Sequence, residues 1–222
     1  FYSVANNSDE IMSRYFDALE KEIELTKILD DVNPDSIDTV YFGGGTPSVP
    51  DSKYICAVLK KIINKFDIKE DAEITIECNP ASVTYEKFCD YKKAGFNRVS
   101  IGVQSLNDET LKTLGRLHSS SRAIEAIKEA FLAGFTNVSA DLMLGIPGQS
   151  LDEVMDNARR LVDLSVNHVS MYSLIIEEGT KFYDRYIDTL ESFISQEEGR
   201  KMYHGVRDNL NKNGITPYEI SN

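Results

Sequence analysis

Side chains that can bind a small polar ligand recur at the ends of five short β-like runs. The runs are Thr39–Gly43, Ala72–Asn79, Arg98–Gln104, Asn137–Gly145 and His168–Ile175. The residues nearest their C-terminal ends on one face are Gly43, Glu77, Gln104, Asp141 and Tyr172. Carboxylates and carboxamides bind ammonium and hydroxyl groups. One such residue is commonly only a solvated strand terminus, but five at equivalent positions predict a binding site.

The first run continues into a glycine-rich stretch, VYFGGGTPSVP, from Val40 to Pro50. Without a Cβ, Gly43 to Gly45 allow backbone groups to approach a ligand closely. The stretch is neither a GxGxxG motif nor a P-loop, so taken alone it fits a tight strand exit stiffened by Pro47 equally well. The planar guanidinium of nearby Arg116 suits a carboxylate. A nucleoside that carries an amino-acid tail would satisfy the whole set.

Helical patterns separate these runs. In Ser52–Phe66, apolar residues recur at the spacing of an amphipathic helix, at Ile55, Val58, Leu59, Ile62 and Ile63. Similar patterns predict helices at Asp9–Leu29, Ser121–Gly134, Leu151–Leu164 and Gln196–Gly214. Strands that alternate with helices predict βαβ units, a parallel sheet and a single α/β domain.

Each run has one apolar and one polar face. Ile74, Ile76 and Cys78 alternate with Glu73, Thr75 and Glu77, for example. A sheet covered by helices on both sides needs apolar residues on both faces. The pattern therefore favours a partial (β/α) barrel with helices outside and a hydrated, ligand-binding interior. Half-buried antiparallel strands would also alternate, but the intervening helices oppose that interpretation.

Composition excludes several classes of function. The net charge of −12 over 222 residues argues against a nucleic-acid surface. No apolar run is long enough to predict a transmembrane segment. Cys56, Cys78 and Cys89 are widely spaced and form no CxxC, which favours a reduced cytoplasm and predicts no metal site inside this chain.

Four segments resemble a known family. YFGGGTPS, ITIECNPASVT, GFNRVSIGVQSLNDETLKTLGRLHS and VSADLMLGIPGQSLDE, in this order, are similar to the radical S-adenosylmethionine core of oxygen-independent coproporphyrinogen III oxidase-like proteins. The closing GITPYEISN also resembles that family. GVQSL and GRLH are closer to the heme chaperone (HemW-like) branch than to the true oxidase, in which GVQDF and NRxQ are expected.

The resemblance implies a partial (β/α)6 TIM-like barrel, with residues 1–222 as a radical S-adenosylmethionine core truncated at both ends. It implies that Gly43, Gly44, Gly45 and Thr46 contact the methionine part of S-adenosylmethionine. It further implies that the amino, ribose and carboxylate groups are held by Glu77, Gln104, Arg116 and Asp141. The family's CxxxCxxC, which binds a [4Fe–4S] cluster, is expected upstream of Phe1, together with the first barrel strand. The family's C-terminal domain is expected downstream.

Three functions are compatible with these residues. The first is a heme-binding chaperone that uses S-adenosylmethionine and a cluster, with heme or porphyrin over the barrel mouth. The second is the oxidase that converts coproporphyrinogen III to protoporphyrinogen IX, and the third is an unrelated sugar- or phosphate-processing barrel. His118 is expected to be a loop or capping group rather than a heme contact, His168 to be buried and His204 to be solvated. The sequence indicates neither the electron donor nor the heme acceptor.

Overall fold

The computed structural model describes residues 8–27, 36–186 and 194–220. In these ranges the chain forms strands that alternate with helices, as predicted. The strands are Ile37–Phe42 (β1), Ile68–Cys78 (β2), Arg98–Gln104 (β3), Asn137–Leu144 (β4) and His168–Ser173 (β5). The helices are Asp9–Leu25 (α1), Ser52–Lys65 (α2), Tyr85–Ala94 (α3), Asp108–Thr113 (α4), Ser120–Leu132 (α5), Leu151–Asp163 (α6), Lys181–Tyr186 (α7) and Gln196–Lys212 (α8).

The strands form one sheet in the order β1-β2-β3-β4-β5. Strand β1 pairs with β2 in parallel, with Val40 beside Ile74 and Phe42 beside Ile76. Strand β4 pairs in the same sense with β5. Parallel neighbours need a long crossover, which the intervening helices provide. Consecutive strands are therefore neighbours, and their C-terminal ends share one edge within each parallel pair.

Two compact units divide the chain. The first comprises Phe1–Ser100 and Glu129–Asn137, and the second comprises Ile101–Lys128 and Val138–Asn222. In the first unit, Ile55, Val58 and Leu59 of α2 are at most 4% exposed, so the predicted apolar stripe is confirmed there. Ile63, predicted on the same stripe, is 42% exposed because it lies in the last turn of the helix.

The core of the second unit lies between β4, α6 and α8. Leu142 and Leu144 of β4 are buried there. The residues that they join are Val154, Ala158, Met202, Val206 and Leu210. This packing fixes α6 next to the sheet. Two polar residues of α6, Glu153 and Asn157, consequently reach the loop that follows β3.

The helices of the structure differ from the predicted ones in one boundary and in number. Helix α1 ends at Leu25, not at Leu29, because Thr26 turns the chain and bonds the Glu22 carbonyl through both its N–H and its hydroxyl. The residues Ile28 and Leu29 lie outside the described ranges, as do the first seven residues and the last two of YEISN. Helices α3, α4 and α7, which are 10, 6 and 6 residues long, were not predicted from the sequence.

The polar strand faces are less hydrated than predicted. Ser139 is fully buried, and its hydroxyl is 2.7 Å from Nδ1 of His168, whose Nε2 is 2.9 Å from the hydroxyl of Tyr218. Thr75 is also buried, and its hydroxyl donates to Glu73. These polar side chains on the strand faces therefore satisfy one another instead of facing water.

His204 was predicted to be solvated, and this was wrong. It is half-buried on α8, and its Nδ1 is buried without a hydrogen-bond partner among the described residues. None of the helices in the described ranges combines the length and apolar character that a membrane crossing requires.

Candidate functional site

The glycine stretch of the first unit begins directly beside Glu77. Strand β1 ends at Phe42, level with Ile76, so the next residue, Gly43, falls next to Glu77. A Cβ on Gly43 would lie 2.6 Å from Cε1 of Tyr41 and 3.2 Å from Cδ of Glu77. Since real Cβ atoms do not come as close as 2.6 Å to another atom, a larger residue would have to displace the exposed Tyr41 ring. The exposed backbone of Gly43 is therefore held against a carboxylate.

At positions 44 and 45, glycine is favoured for a different reason, which is the backbone conformation. Their φ angles are +78° and +59°, which disfavour side chains, and the space around both is open. All three glycines are exposed. An added side chain would be strained at these two positions, so the stretch presents bare backbone.

Tyr41 orients the carboxylate of Glu77. Its hydroxyl donates to Oε1 of Glu77 over 2.7 Å. The Tyr41 ring itself is 57% exposed, and Glu77 is half-buried. One carboxylate oxygen is thus fixed by a neighbour on β1, and the group can accept a hydrogen bond from an ammonium ion.

A cavity of about 240 Å³ lies on one side of the glycine stretch. Phe16 and Leu19 of α1 line it together with Phe42, Gly43 and Pro47. Most of these side chains are apolar. The glycine stretch therefore has an apolar wall in addition to the carboxylate of Glu77.

Gln104 is the corresponding strand-end residue of the second unit. It is only 3% exposed and has φ +66°, an uncommon conformation for a residue with a side chain. The N–H of Ser105 donates to the Val103 carbonyl over 2.8 Å and closes a tight turn around it. The hydroxyl of Tyr172 donates to Oε1 of Gln104 over 2.8 Å. Strained backbone of this kind persists only where the surroundings enforce it.

Helix α6 supplies that enforcement through residues that the sequence analysis missed. Asn157 is buried; its Oδ1 accepts from the Leu106 N–H and its Nδ2 donates to the Ser105 hydroxyl, each over 3.2 Å. Glu153, one turn earlier, accepts from the hydroxyls of Ser105 and Thr110 over 3.2 and 2.8 Å. The available signal was a polar residue inside the buried stripe of an amphipathic helix.

His118 is a structural group, as predicted. It is 5% exposed, and its Nε2 is 3.2 Å from the carbonyl oxygen of Val103, which makes Nε2 the donor. Burial lowers the pKa of His118, and the charge of Arg116 adds to that effect. Its Nδ1 is buried and has no hydrogen-bond partner in the described part of the chain. The half-buried Arg116 lies on the same loop, two residues earlier.

Asp141 lies further from the strand end than predicted. On β4 it is level with Ser170 of β5, whereas Met143 is level with Tyr172. Gln149, which the sequence analysis also missed, closes the turn after β4 by donating to the Met143 carbonyl and accepting from the Ile146 N–H. Asp141 therefore lies two residues further from the C-terminal ends of the strands than Tyr172 does.

The sequence comparison identifies the family. The sequence model of the Radical SAM superfamily matches residues 7–161. The chain belongs to the radical SAM superfamily. The similarity to the heme chaperone branch is confirmed by curated relatives. One is the heme chaperone HemW of Haemophilus influenzae, 37% identical over 184 residues, which are 82% of this chain and 48% of that protein.

A second relative is the heme chaperone HemW of Escherichia coli, 42% identical over 149 residues, or 67% of this chain and 39% of that protein. A third is the mitochondrial radical S-adenosyl methionine domain-containing protein 1 of Mus musculus, 36% identical over 186 residues, with shares of 84% and 42%. The chain spans about half the length of the curated relatives it matches.

Solved structures show the radical SAM fold. Coproporphyrinogen III oxidase (HemN) from Escherichia coli superimposes with a TM-score of 0.80 at 24% identity, over 96% of this chain and 48% of that one. Elp3 from Methanocaldococcus infernus gives 0.65 at 23% identity, over 90% and 52%. The predicted α/β fold, a partial TIM-like barrel of the radical SAM type, is confirmed.

Membership of the radical SAM superfamily implies S-adenosylmethionine and a [4Fe–4S] cluster as cofactors. The described residues contain no group of three His, Cys, Asp or Glu side chains that could hold a metal. Burial raises the pKa of the Cys56 thiol to about 11 and raises that of Cys78 further, so neither favours the thiolate that iron requires. These residues do not fit a cluster. The cradle at Gly43 and the oriented carboxylate of Glu77 fit an amino acid, and the carboxamide of Gln104 fits a hydroxyl-bearing group.

Proposed function

We propose that this chain is the S-adenosylmethionine-binding core of a heme chaperone that acts in heme or porphyrin metabolism. The observation that carries the proposal is its identity of 33% to 42% with several proteins named heme chaperone HemW. The composition supports a cytoplasmic location, because all three cysteines are free thiols. Heme or a porphyrin is the expected partner.

In this proposal, the bare backbone of Gly43–Thr46 faces the methionine part of S-adenosylmethionine. Glu77, already oriented by a tyrosine, accepts a hydrogen bond from the ammonium group. Arg116 binds the carboxylate through its planar guanidinium. Gln104 and Asp141 bind the ribose hydroxyls, since a carboxamide and a carboxylate both accept from O–H groups.

When bound, S-adenosylmethionine supplies a sulfonium centre and, with a reduced cluster, one-electron chemistry. What the described residues contribute is binding and orientation. Gly43 excludes a side chain from the contact surface, and Gln104 presents its amide from a buried, fixed position. Because the described residues contain no fitting cluster ligands, no step of the proposal passes through the cluster.

The oxidase is the alternative function. The match to coproporphyrinogen III oxidase is a likeness of fold, and fold alone does not determine activity. The two functions differ in what happens to a porphyrin. A chaperone retains heme unchanged, whereas the oxidase decarboxylates two propionates of coproporphyrinogen III.

The test uses the protein expressed from its whole gene and reconstituted anaerobically with iron and sulfide. Heme is titrated and followed by its Soret absorbance, and coproporphyrinogen III is incubated with S-adenosylmethionine and a reductant. We expect saturable heme binding and no protoporphyrinogen IX. Formation of protoporphyrinogen IX would replace the proposal with the oxidase. Failure to bind heme, together with absence of turnover, would contradict both.

A further inference from the structure

Lys87, on α3, places its ammonium group among four backbone carbonyl oxygens. Its Nζ donates to the loop that follows β1, at Ser48 over 2.7 Å, Pro50 over 3.0 Å and Val49 over 3.3 Å. The fourth acceptor is the carbonyl of Ser82, 3.0 Å away, in the loop that follows β2. Since an ammonium has three protons, the four carbonyls share three donors. One side chain thus joins two loops.

This arrangement satisfies carbonyl groups that the loop cannot satisfy itself. Three successive carbonyls, from Ser48 to Pro50, converge on one point, and Ser48 is completely buried. Buried carbonyl groups need a donor, and outside a helix or a sheet it must come from elsewhere. Lys87 is half-buried, and burial lowers its pKa although the charge of Asp51 opposes the effect. The half-buried ammonium group is therefore held by carbonyl oxygens of both loops.

The loop held by Lys87 is continuous with the glycine stretch. The N–H of Val49 donates to the Thr46 carbonyl over 3.0 Å, which closes a turn immediately after Gly43–Gly45. Val49 in turn offers its own carbonyl to Lys87. A displacement of residues 48–50 would consequently move Thr46 and the glycines before it.

The same loop is also attached to the end of β2. The hydroxyl of Ser48 accepts from the Asn79 N–H over 2.9 Å and lies 2.7 Å from the hydroxyl of Ser82. Asn79 follows β2 and is two residues beyond Glu77. The contacts of Lys87 and Ser48 together set the distance between the glycine stretch and the carboxylate of Glu77.

We propose that Lys87 is a positioning residue of the S-adenosylmethionine site, where its ammonium group fixes the loop from Gly43 to Pro50 against the end of β2. The inference rests on the proposed function, because it concerns the same glycine stretch. Lys87 acts through the loop, so it affects ligand affinity without being a catalytic residue.

The first test compares Lys87→Met with the matched control Lys93→Met. Methionine keeps the unbranched stem and removes the charge, and Lys93 is an exposed residue of the same helix. In the protein expressed from its whole gene and reconstituted with iron and sulfide, we expect Lys87→Met to raise the Kd for S-adenosylmethionine roughly tenfold, which corresponds to the loss of one hydrogen bond to a charged group. Lys93→Met is expected to leave it unchanged. Equal affinities of Lys87→Met and the unchanged protein would overturn the proposal.

The second test asks whether charge or packing is responsible. Lys87→Ala leaves room for a small amine, so propylammonium is added and compared with 1-propanol, its neutral analogue. We expect propylammonium to recover part of the lost affinity and 1-propanol to recover none. Equal recovery by both compounds would assign the role to packing and contradict the proposal.

The third test needs no ligand and therefore separates this inference from the proposed function. By hydrogen exchange, Lys87→Met is expected to accelerate exchange of the Val49 amide, which donates to Thr46, and of the Asn79 amide, which donates to Ser48, while the amides of β4 keep their rates. If the unchanged protein binds no S-adenosylmethionine, the proposed function fails, but the exchange result still decides whether Lys87 orders the loop. Should both Lys87 variants fold poorly, acetic anhydride labelling of the unchanged protein decides. Lys87 should react more slowly than Lys93, and equal rates would contradict the enclosure of its ammonium group by the four carbonyl oxygens.

Discussion

The hydroxyl of Tyr172, on β5, donates to Oε1 of Gln104 at the end of β3 over 2.8 Å, although β4 lies between the two strands. The bond therefore crosses the polar face of the sheet within the second unit. It orients a carboxamide whose backbone is already held at φ +66°. A tyrosine and a glutamine that are 68 residues apart in sequence thus form one element of the candidate site.

Tyr172→Phe removes this bond while keeping the ring. We expect S-adenosylmethionine affinity to fall between about twofold and tenfold, since a neutral hydrogen bond contributes about 0.5–1.5 kcal/mol. The measurement is isothermal titration of the reconstituted protein. Tyr203→Phe, on α8, is the control and should bind as the unchanged protein does. If both variants bind equally, the orientation of Gln104 by Tyr172 has no role in binding.

Gly43→Ala tests the close contact at the end of β1. The added Cβ would be 2.6 Å from the Tyr41 ring, so we expect the ring to move and release Glu77. S-adenosylmethionine binding should weaken by more than tenfold, and the double variant Gly43→Ala with Tyr41→Ser should lose little more than Gly43→Ala alone, because both changes release the same carboxylate. Titration of all four members of this cycle gives the coupling between the two positions. Additive effects would show that the contact does not matter for binding.

Period-two alternation was sufficient to predict the five strands and the buried apolar faces of β2, β3 and β4. Val99, Ile101 and Val103 are fully buried in β3, whose bounds match the predicted run. The apolar stripe of α2 was equally readable. Helix α3 was missed because its sequence YEKFCDYKKA buries only Phe88 and Tyr91 and offers no continuous stripe. Its boundaries depend instead on the Thr84 cap and on Gly95 at φ +116°.

The candidate site was predictable only in part. Gly43 and Glu77 are brought together because parallel register aligns strand ends, and that alignment follows from the alternation of strands and helices. The level of Asp141 was not predictable, since it depends on the register between β4 and β5. The roles of Lys87 and Asn157 were also hidden, because both act through carbonyl or amide groups that are distant in sequence.

Asn157→Ala tests the support that α6 gives to the loop after β3. The variant leaves the Leu106 N–H without its partner in a buried environment, whereas the Ser105 hydroxyl keeps its bond to Glu153. An unsatisfied buried group costs about 1–3 kcal/mol, so we expect the free energy of unfolding in urea to fall by that amount. Asp156→Ala, the adjacent position on the outer side of α6, should change it by less than about 0.5 kcal/mol. Similar losses in both variants would indicate that Asn157 contributes only its helical position.

His118 predicts a pH dependence of stability. Burial lowers its pKa in the folded protein, so between pH 6.5 and that lowered value the unfolded chain binds a proton that the folded chain does not. The contribution of His118 to the free energy of unfolding is fully present above the unfolded pKa of about 6.5, and it falls as the pH decreases below that value. Urea unfolding between pH 5 and 8 should therefore show a smaller loss at acid pH in His118→Gln than in the unchanged protein. Identical pH profiles would show that His118 binds its proton equally well in both states.

Ser165, between α6 and β5, has a positive φ as Gln104 does, but it has no candidate role in binding. Its φ is +62°, and it is exposed, so Ser165→Gly should relieve strain without removing packing. We expect the free energy of unfolding to rise by about 0.5–1 kcal/mol, after the entropic cost of glycine in the unfolded chain. Ser165→Val should lower it, because a β-branched residue tolerates this region poorly. Urea unfolding of both variants decides the point: if valine is no worse than glycine, the strain at this position is negligible. S-adenosylmethionine affinity should stay constant in both variants, because Ser165, unlike Gln104, has no candidate role in binding.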